Sequence, residues 1–152
     1  MHGSLHYGKA WPENVYSGAS FTLGDNANPA DNFHDYALEW EDGEIRWYVD
    51  DIHYATQNES GWYSQYVDNN GNLVNAAGNA PFDQNFHMIL NFAVVGSWAA
   101  SVNDTGIDES VFPQTLSIDY VRVCECSVQP DTGAGCAAVG DDALLVDGNT
   151  AP

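Results

Sequence analysis

Three aromatic-rich blocks, each patterned as a β-strand or strand pair, follow one another along the chain. They run from Phe33 to Trp40 and on through Glu44–Asp50, from Pro81 to Phe92, and from Val111 to Val123. Aromatic and β-branched residues fit a pleated, half-buried surface, so the blocks favour sheet over helix. The first block predicts a hairpin, Phe33 to Glu41 against Glu44 to Val49. Asp42-Gly43 between them is the two-residue signal for a tight type I′ turn. A third strand, Ile52 to Thr56, follows Asp50-Asp51. His2 to Tyr7 alternates polar and apolar and reads as a strand. Gly8 to Asn14 reads as a loop, and Ala19 to Leu23 as a short strand. Phe86 to Val95 is almost continuously apolar and predicts a central strand. Thr115 to Cys124 alternates cleanly, with Leu116, Ile118 and Tyr120 on one face. Asn58 to Ala80 is a long loop with room for one short strand pair around Tyr66 and Leu73, and long loops in small folds tend to carry function. No helix period or internal repeat stands out. The fold class is therefore all-β, a sandwich.

Composition narrows the partners. Nineteen aromatic rings (five Trp, eight Tyr, six Phe) suit both a β core and stacking on sugar faces. Twenty-two acidic residues against three basic ones, Lys9, Arg46 and Arg122, give a formal charge of −19. Phosphate backbones and anionic membrane surfaces are repelled, so nucleic acid and membrane are excluded as partners, whereas a neutral polysaccharide is compatible. The charge also strains the folded state, and salt should relieve it.

The cysteines number three. Cys126 and Cys136 flank a polar Pro- and Gly-containing segment and are expected to close a small disulfide loop, which suits an oxidising compartment. Cys124, two residues before Cys126 on the same expected strand, is the odd thiol, because i and i+2 neighbours lie about 7 Å apart. The first residues lack the basic start and apolar run of a signal peptide. From about Cys126 onward the chain turns small and acidic, so residues 1–125 are expected to form the sandwich and 126–152 an acidic tail or linker.

Taken together, the blocks, the opening His2-Gly3-Ser4-Leu5-His6-Tyr7-Gly8 and the loop Trp11-Pro12-Glu13-Asn14 resemble family 16 glycoside hydrolases of the laminarinase (endo-β-1,3-glucanase) type. The resemblance runs from residue 2 to about Val123 and is specific as an ordered set. It implies a concanavalin-like jelly roll, here the C-terminal part of the domain and so a partial sandwich. It further implies a secreted enzyme that cleaves β-1,3-glucan with retention. Retaining glycosidases place two carboxyl groups about 5–5.5 Å apart, and this family carries them in a Glu-x-Asp-x-x-Glu strand. No such string occurs here. The nearest acidic stretches, Glu39 to Glu44 and Asp104 to Glu109, cross an expected turn and a polar loop, and read as solvated acids. The family's carboxylates precede the stretch matched at His2. No catalytic residue is therefore assigned, and the missing N-terminal half of the domain is the expected partner.

The resemblance also implies site roles. His6 would face the cleft and Trp11 would border it. Asn91 would point from its apolar strand toward substrate. Trp98 would stack on glucose, although Val95 and Ser97 before it depart from the usual Gly-Gly-Asn-Trp. Asp119 matches an Asp that helps bind a structural calcium in many relatives, with the other ligands outside these residues; the reaction itself requires no cofactor. The rival reading from the same residues is a carbohydrate-binding sandwich without catalysis, since binding needs only aromatics and hydrogen-bond donors.

Overall fold

The computed structural model describes residues 1–94, 96, 107–127 and 131. These divide into two units, Met1–Asn85 with the chain from Glu125 onward, and Phe86–Cys124. Among the described residues there is no α-helix, only strands and three single-turn 3-10 helices. The all-β expectation holds.

In the first unit, β1 (His2–Gly8) pairs antiparallel with β2 (Asn14–Ser20), and β3 (Tyr36–Glu41), β4 (Glu44–Val49) and β5 (Ile52–Asn58) form a three-stranded antiparallel sheet in that order. The short pair β6 (Gln65–Val67) and β7 (Leu73–Asn75) matches the pair expected around Tyr66 and Leu73. Period-2 alternation sends Leu5 of β1 and Ile45, Trp47 and Val49 of β4 into one core. Tyr54, Ala55, Trp62 and Phe82 complete it. A register shift between Trp47 and Tyr48 puts an extra residue into β5, and this bulge allows both Tyr54 and Ala55 to be buried. The β1 backbone lies close against that core, because a Cβ at Gly3 would come within 2.7 Å of the Tyr54 hydroxyl and 2.8 Å of Trp47 Cγ. Gln57 of β5 ties the two sheets together: its amide nitrogen donates to the Ser17 carbonyl at 3.0 Å and its amide oxygen accepts from the Ser17 hydroxyl.

Several expectations are corrected. The strand after the first loop is Asn14–Ser20, not Ala19 to Leu23, because pairing with β1 rather than local propensity fixes it. At Asp42-Gly43 only Gly43 takes a positive φ (79°), and a type I′ turn needs two such residues. Both do so at Asp50 (50°) and Asp51 (63°), in the two-residue link from β4 to β5. The left-handed conformation is tolerated there because Asp50 is anchored. Its carboxylate accepts from the Asp35 backbone N–H at 3.0 Å and bonds His34 Nδ1 at 2.7 Å.

The second unit carries no strand among its described residues. Phe86 to Val95 and Thr115 to Cys124 were both expected as strands. Their described residues stay outside any ladder, and side chains such as Ile89, Met88 and Leu116 are at least half exposed. An apolar pattern supplies a face for a sheet, but a strand also needs a neighbour to bond its backbone.

Candidate functional site

The outward face of β1–β2 is polar and open. Alternation along β1 turns His2, Ser4 and His6 away from the core, and the register sets His6 opposite Tyr16. Their rings stack with centroids 5.7 Å apart and planes 29° from parallel. Gly18 of β2, opposite Ser4, leaves the face low between these rings and the Ser20–His2 hydrogen bond (2.9 Å). Trp11, in the β1–β2 loop, is 85% exposed. A ring this exposed contributes nothing to the core and is free to stack on a ligand. The loop closes through the Glu13 N–H bonded to the Ala10 carbonyl (3.0 Å), and Lys9 lies 3.5 Å from the Glu13 carboxylate.

Beside this face, at the end of β1, a groove of about 420 Å³ opens between His6, Gly8, Lys9 and Asn14 on one side and Ser64 and Gln65 on the other. The far wall is tied by one backbone bond to the end of β1 and by another to the residue after β7. The Gly8 N–H donates to the Tyr63 carbonyl at 2.9 Å, and the Ala76 N–H donates to the Ser64 carbonyl at 2.8 Å. Gly8 is required at this junction: its φ is 92°, and a Cβ would meet the Tyr63 hydroxyl at 2.9 Å. The Gln65 amide nitrogen donates to Asn75 Oδ1 at 2.8 Å, while its amide oxygen is buried without a partner.

His6 thus lies on the open face of β1–β2, and Trp11 stands exposed in the loop between these strands. Tyr16 and the Ser64–Gln65 wall were not read from the sequence. Alternation through Asn14–Ser20 carries a signal for Tyr16; nothing local announces Ser64 or Gln65. Asn91 belongs to the second unit, where it is exposed and outside any strand. Trp98 lies outside the described residues. Asp119 is also in the second unit and exposed. A calcium ion takes about six to eight oxygen ligands. Among the described residues no group of three or more His, Cys, Asp or Glu could hold a metal; the further ligands expected beside Asp119 lie outside these residues. Cys126 is disulfide-bonded and Cys124 is a free thiol; Cys136, the expected partner of Cys126, lies outside the described residues.

The acidic stretch around the β3–β4 turn is engaged rather than merely solvated. Glu41 and Glu44 both pair with Arg46, which is 7% exposed. Burial opposes charge on this guanidinium, but the hydrogen bond to Glu41 and the two carboxylate charges outweigh it and push its pKa up. Glu39 accepts from the Tyr48 hydroxyl, whose pKa burial and that bond raise well above the usual phenol range. Glu41 and Glu44 thus neutralise a buried cation, and Glu39 is held by a phenol hydroxyl. In the other stretch, Asp108 caps the single turn Glu109–Val111 by accepting from the Ser110 N–H at 2.9 Å.

Comparison with known proteins supplies the family context. The model of the family described as Glycosyl hydrolases family 16 matches residues 6–89. The chain is 35% identical over 123 residues to the Glucan endo-1,3-beta-glucosidase A1 of Niallia circulans, covering 81% of this chain and 17% of that protein. It is 42% identical over 93 residues to the Beta-glucanase of Rhodothermus marinus, covering 60% of this chain and 28% of that protein. It is 34% identical over 99 residues to the Beta-1,3-glucan-binding protein of Penaeus monodon, covering 62% of this chain and 27% of that one. The chain thus spans less than a third of the length of each of these curated relatives. No solved structure matches it.

Proposed function

The chain belongs to glycosyl hydrolase family 16, and from that premise we propose that it is part of a secreted endo-β-1,3-glucanase that cleaves with retention of configuration. The observation that carries this reading is the open β1–β2 face, where His6 and Tyr16 stack beside the groove, together with the exposed Trp11 ring in the loop between those strands. Flat rings bind the apolar faces of pyranoses, and His6 supplies a hydrogen-bonding edge for a hydroxyl. Bound sugar there loses water and rotational freedom, which is what a cleft wall contributes to catalysis. Separately from that face, Asn91 and Trp98 are each proposed as sugar contacts from the family resemblance alone. The two carboxyl groups of the double displacement come from residues outside this chain, since its sequence holds no Glu-x-Asp-x-x-Glu string. The disulfide at Cys126 supports an extracellular setting.

The expected outcome is that the 152-residue chain alone binds laminarin but releases no reducing sugar from it, whereas a protein that joins it to a strand carrying Glu-x-Asp-x-x-Glu hydrolyses laminarin with retention. Robust turnover by the chain alone would overturn the assignment of the carboxylates. A second reading, glucan binding without cleavage, is favoured by one finding: the Penaeus monodon relative is named for β-1,3-glucan binding. Laminarin that is bound but left intact by the protein carrying the acidic strand would select it.

A further inference from the structure

The apolar pattern of β2 does not settle which way that strand faces. Val15, Ser17 and Ala19 alternate on the core side, and Tyr16 and Gly18 on the open side. One sizeable apolar side chain thus falls on each face. A slip of one residue would exchange the faces and turn Tyr16 inward. What separates the two registers is polar. Ser17 lies opposite the core residue Leu5 and is 4% exposed; Gln57 lies beside the core residue Ile45 and is 1% exposed. These two polar side chains meet among apolar neighbours. The Gln57 amide nitrogen donates to the Ser17 carbonyl at 3.0 Å, and its oxygen accepts from the Ser17 hydroxyl. A carbonyl only accepts, so the end of the amide that meets it is the nitrogen, and the hydroxyl donates to the other end. One residue of β5 therefore holds one residue of β2 by both backbone and side chain. In the slipped register a glycine or a tyrosine would stand at this place. The buried amide would then lose its paired partners and bear the full cost of desolvation.

We infer that Gln57 is a positioning residue for glucan binding: by holding Ser17 in the core it selects the β2 register that turns Tyr16 outward onto His6. This rests on the proposed glucan reading and names a residue, itself out of reach of any ligand, on which the stacking face depends. Gln57 acts through Ser17 on Tyr16, whose ring is half exposed and stacks on His6 with centroids 5.7 Å apart. Buried polar pairs serve best where they fix register, at some expense of stability. An apolar pair of similar volume would fill the same space but would leave Tyr16 free to take either face.

The test compares the full chain with its Gln57→Met, Ser17→Ala, Tyr16→Ala and Gln57→Met/Tyr16→Ala variants. Three quantities are read: the urea midpoint, the nuclear Overhauser cross-peaks between the His6 and Tyr16 rings, and the affinity for laminarin. Tyr16→Ala removes one stacking ring and should weaken laminarin binding about three- to ten-fold. Gln57→Met keeps the volume but not the hydrogen bonds. It should lose the His6–Tyr16 cross-peaks and bind as weakly as Tyr16→Ala, and the double variant should bind no worse than either. Ser17→Ala keeps the bond from the amide to the carbonyl, so its cross-peaks should weaken and its affinity fall between the two. It carries the comparison if Gln57→Met does not fold. A lower urea midpoint with intact cross-peaks and unchanged affinity, in every variant that keeps Tyr16 and folds, overturns the positioning role: Gln57 would then only stabilise the core. Laminarin binding that is absent from the unsubstituted chain, or unchanged in Tyr16→Ala, overturns the glucan reading of this face. Cross-peaks lost in Gln57→Met would even then assign the register of Tyr16 to Gln57.

Discussion

Apolar side chains meet opposite fates in the two units. In the first, Val49 is 1% exposed, Ile45 3% and Ala55 0%. In the second, Ile89 is 81% exposed, Met88 63% and Val123 82%. The sequence patterns are equally strong, and the apolar run from Phe86 is the denser of the two. What differs is bonding. β4 is hydrogen-bonded on both edges, to β3 and β5, and β1 lies against its Trp47 face. The described residues of the second unit have no ladder. Hydrophobic patterning thus specifies which face a strand would bury, while ladder partners and a facing layer decide whether it buries anything.

The sharpest way to break this comparison is to truncate one large apolar residue in each unit. Trp47→Ala should lower the unfolding free energy by about 3–5 kcal/mol, since it empties the centre of the core against which Gly3 lies. Ile89→Ala should change it by no more than about 0.5 kcal/mol, as befits a side chain left in water. Urea midpoints for both variants decide the matter. A loss at Ile89 comparable to that at Trp47 would mean that the second unit buries a core of its own.

The next effect sharpens the comparison within the first unit, where the fold tolerates strain at a turn because its neighbours are anchored. Asp51 takes φ 63° without the carboxylate contacts that hold Asp50. Glycine reaches that conformation without the Cβ clash, so Asp51→Gly should stabilise the chain by about 0.5–1 kcal/mol. A lower urea midpoint for this variant would show that Asp51 has a role beyond its backbone.

How much was legible follows from which interactions are local. In the β3–β4 hairpin β4 could be read to the residue and β3 starts three residues later than expected, at Tyr36, because period-2 alternation and a Gly at the turn are local signals. β2 was misplaced because Asn14, Ser17 and Gly18 carry weak strand propensity, and the pairing with β1 overrides it. Losing β2 also hid Tyr16, the ring that stacks on His6. The I′ turn at Asp50-Asp51 was hidden for another reason: nothing near it in sequence reveals that His34 and Asp35 return to anchor it. The outward turn of His6 was legible from alternation along β1, whereas sugar contacts at His6 and Trp11 rest on the family pattern. Ser64 and Gln65 reach the groove through a bond between Gly8 and Tyr63, distant in sequence, and no local pattern encodes that contact.

The smallest effect concerns the same anchor and is seen only in acid. The hydrogen bond to His34, then that from the Asp35 N–H, holds the Asp50 carboxyl below its ordinary pKa. The folded chain therefore keeps this carboxylate ionised more readily than the unfolded chain, where it titrates near about 3.9. A depressed folded pKa stabilises the fold above that unfolded value, and the contribution is lost as pH falls through the lower folded one. Asp50→Asn keeps a residue that tolerates the left-handed backbone but removes the titration. Its stability should fall slightly below that of the unsubstituted chain at pH 6, and the difference should shrink as the pH drops below about 4. Urea midpoints from pH 6 down to pH 3 give the comparison. Parallel acid limbs for the two proteins would show that the Asp50 contacts do not couple to folding, and that the turn is held by its backbone bonds alone.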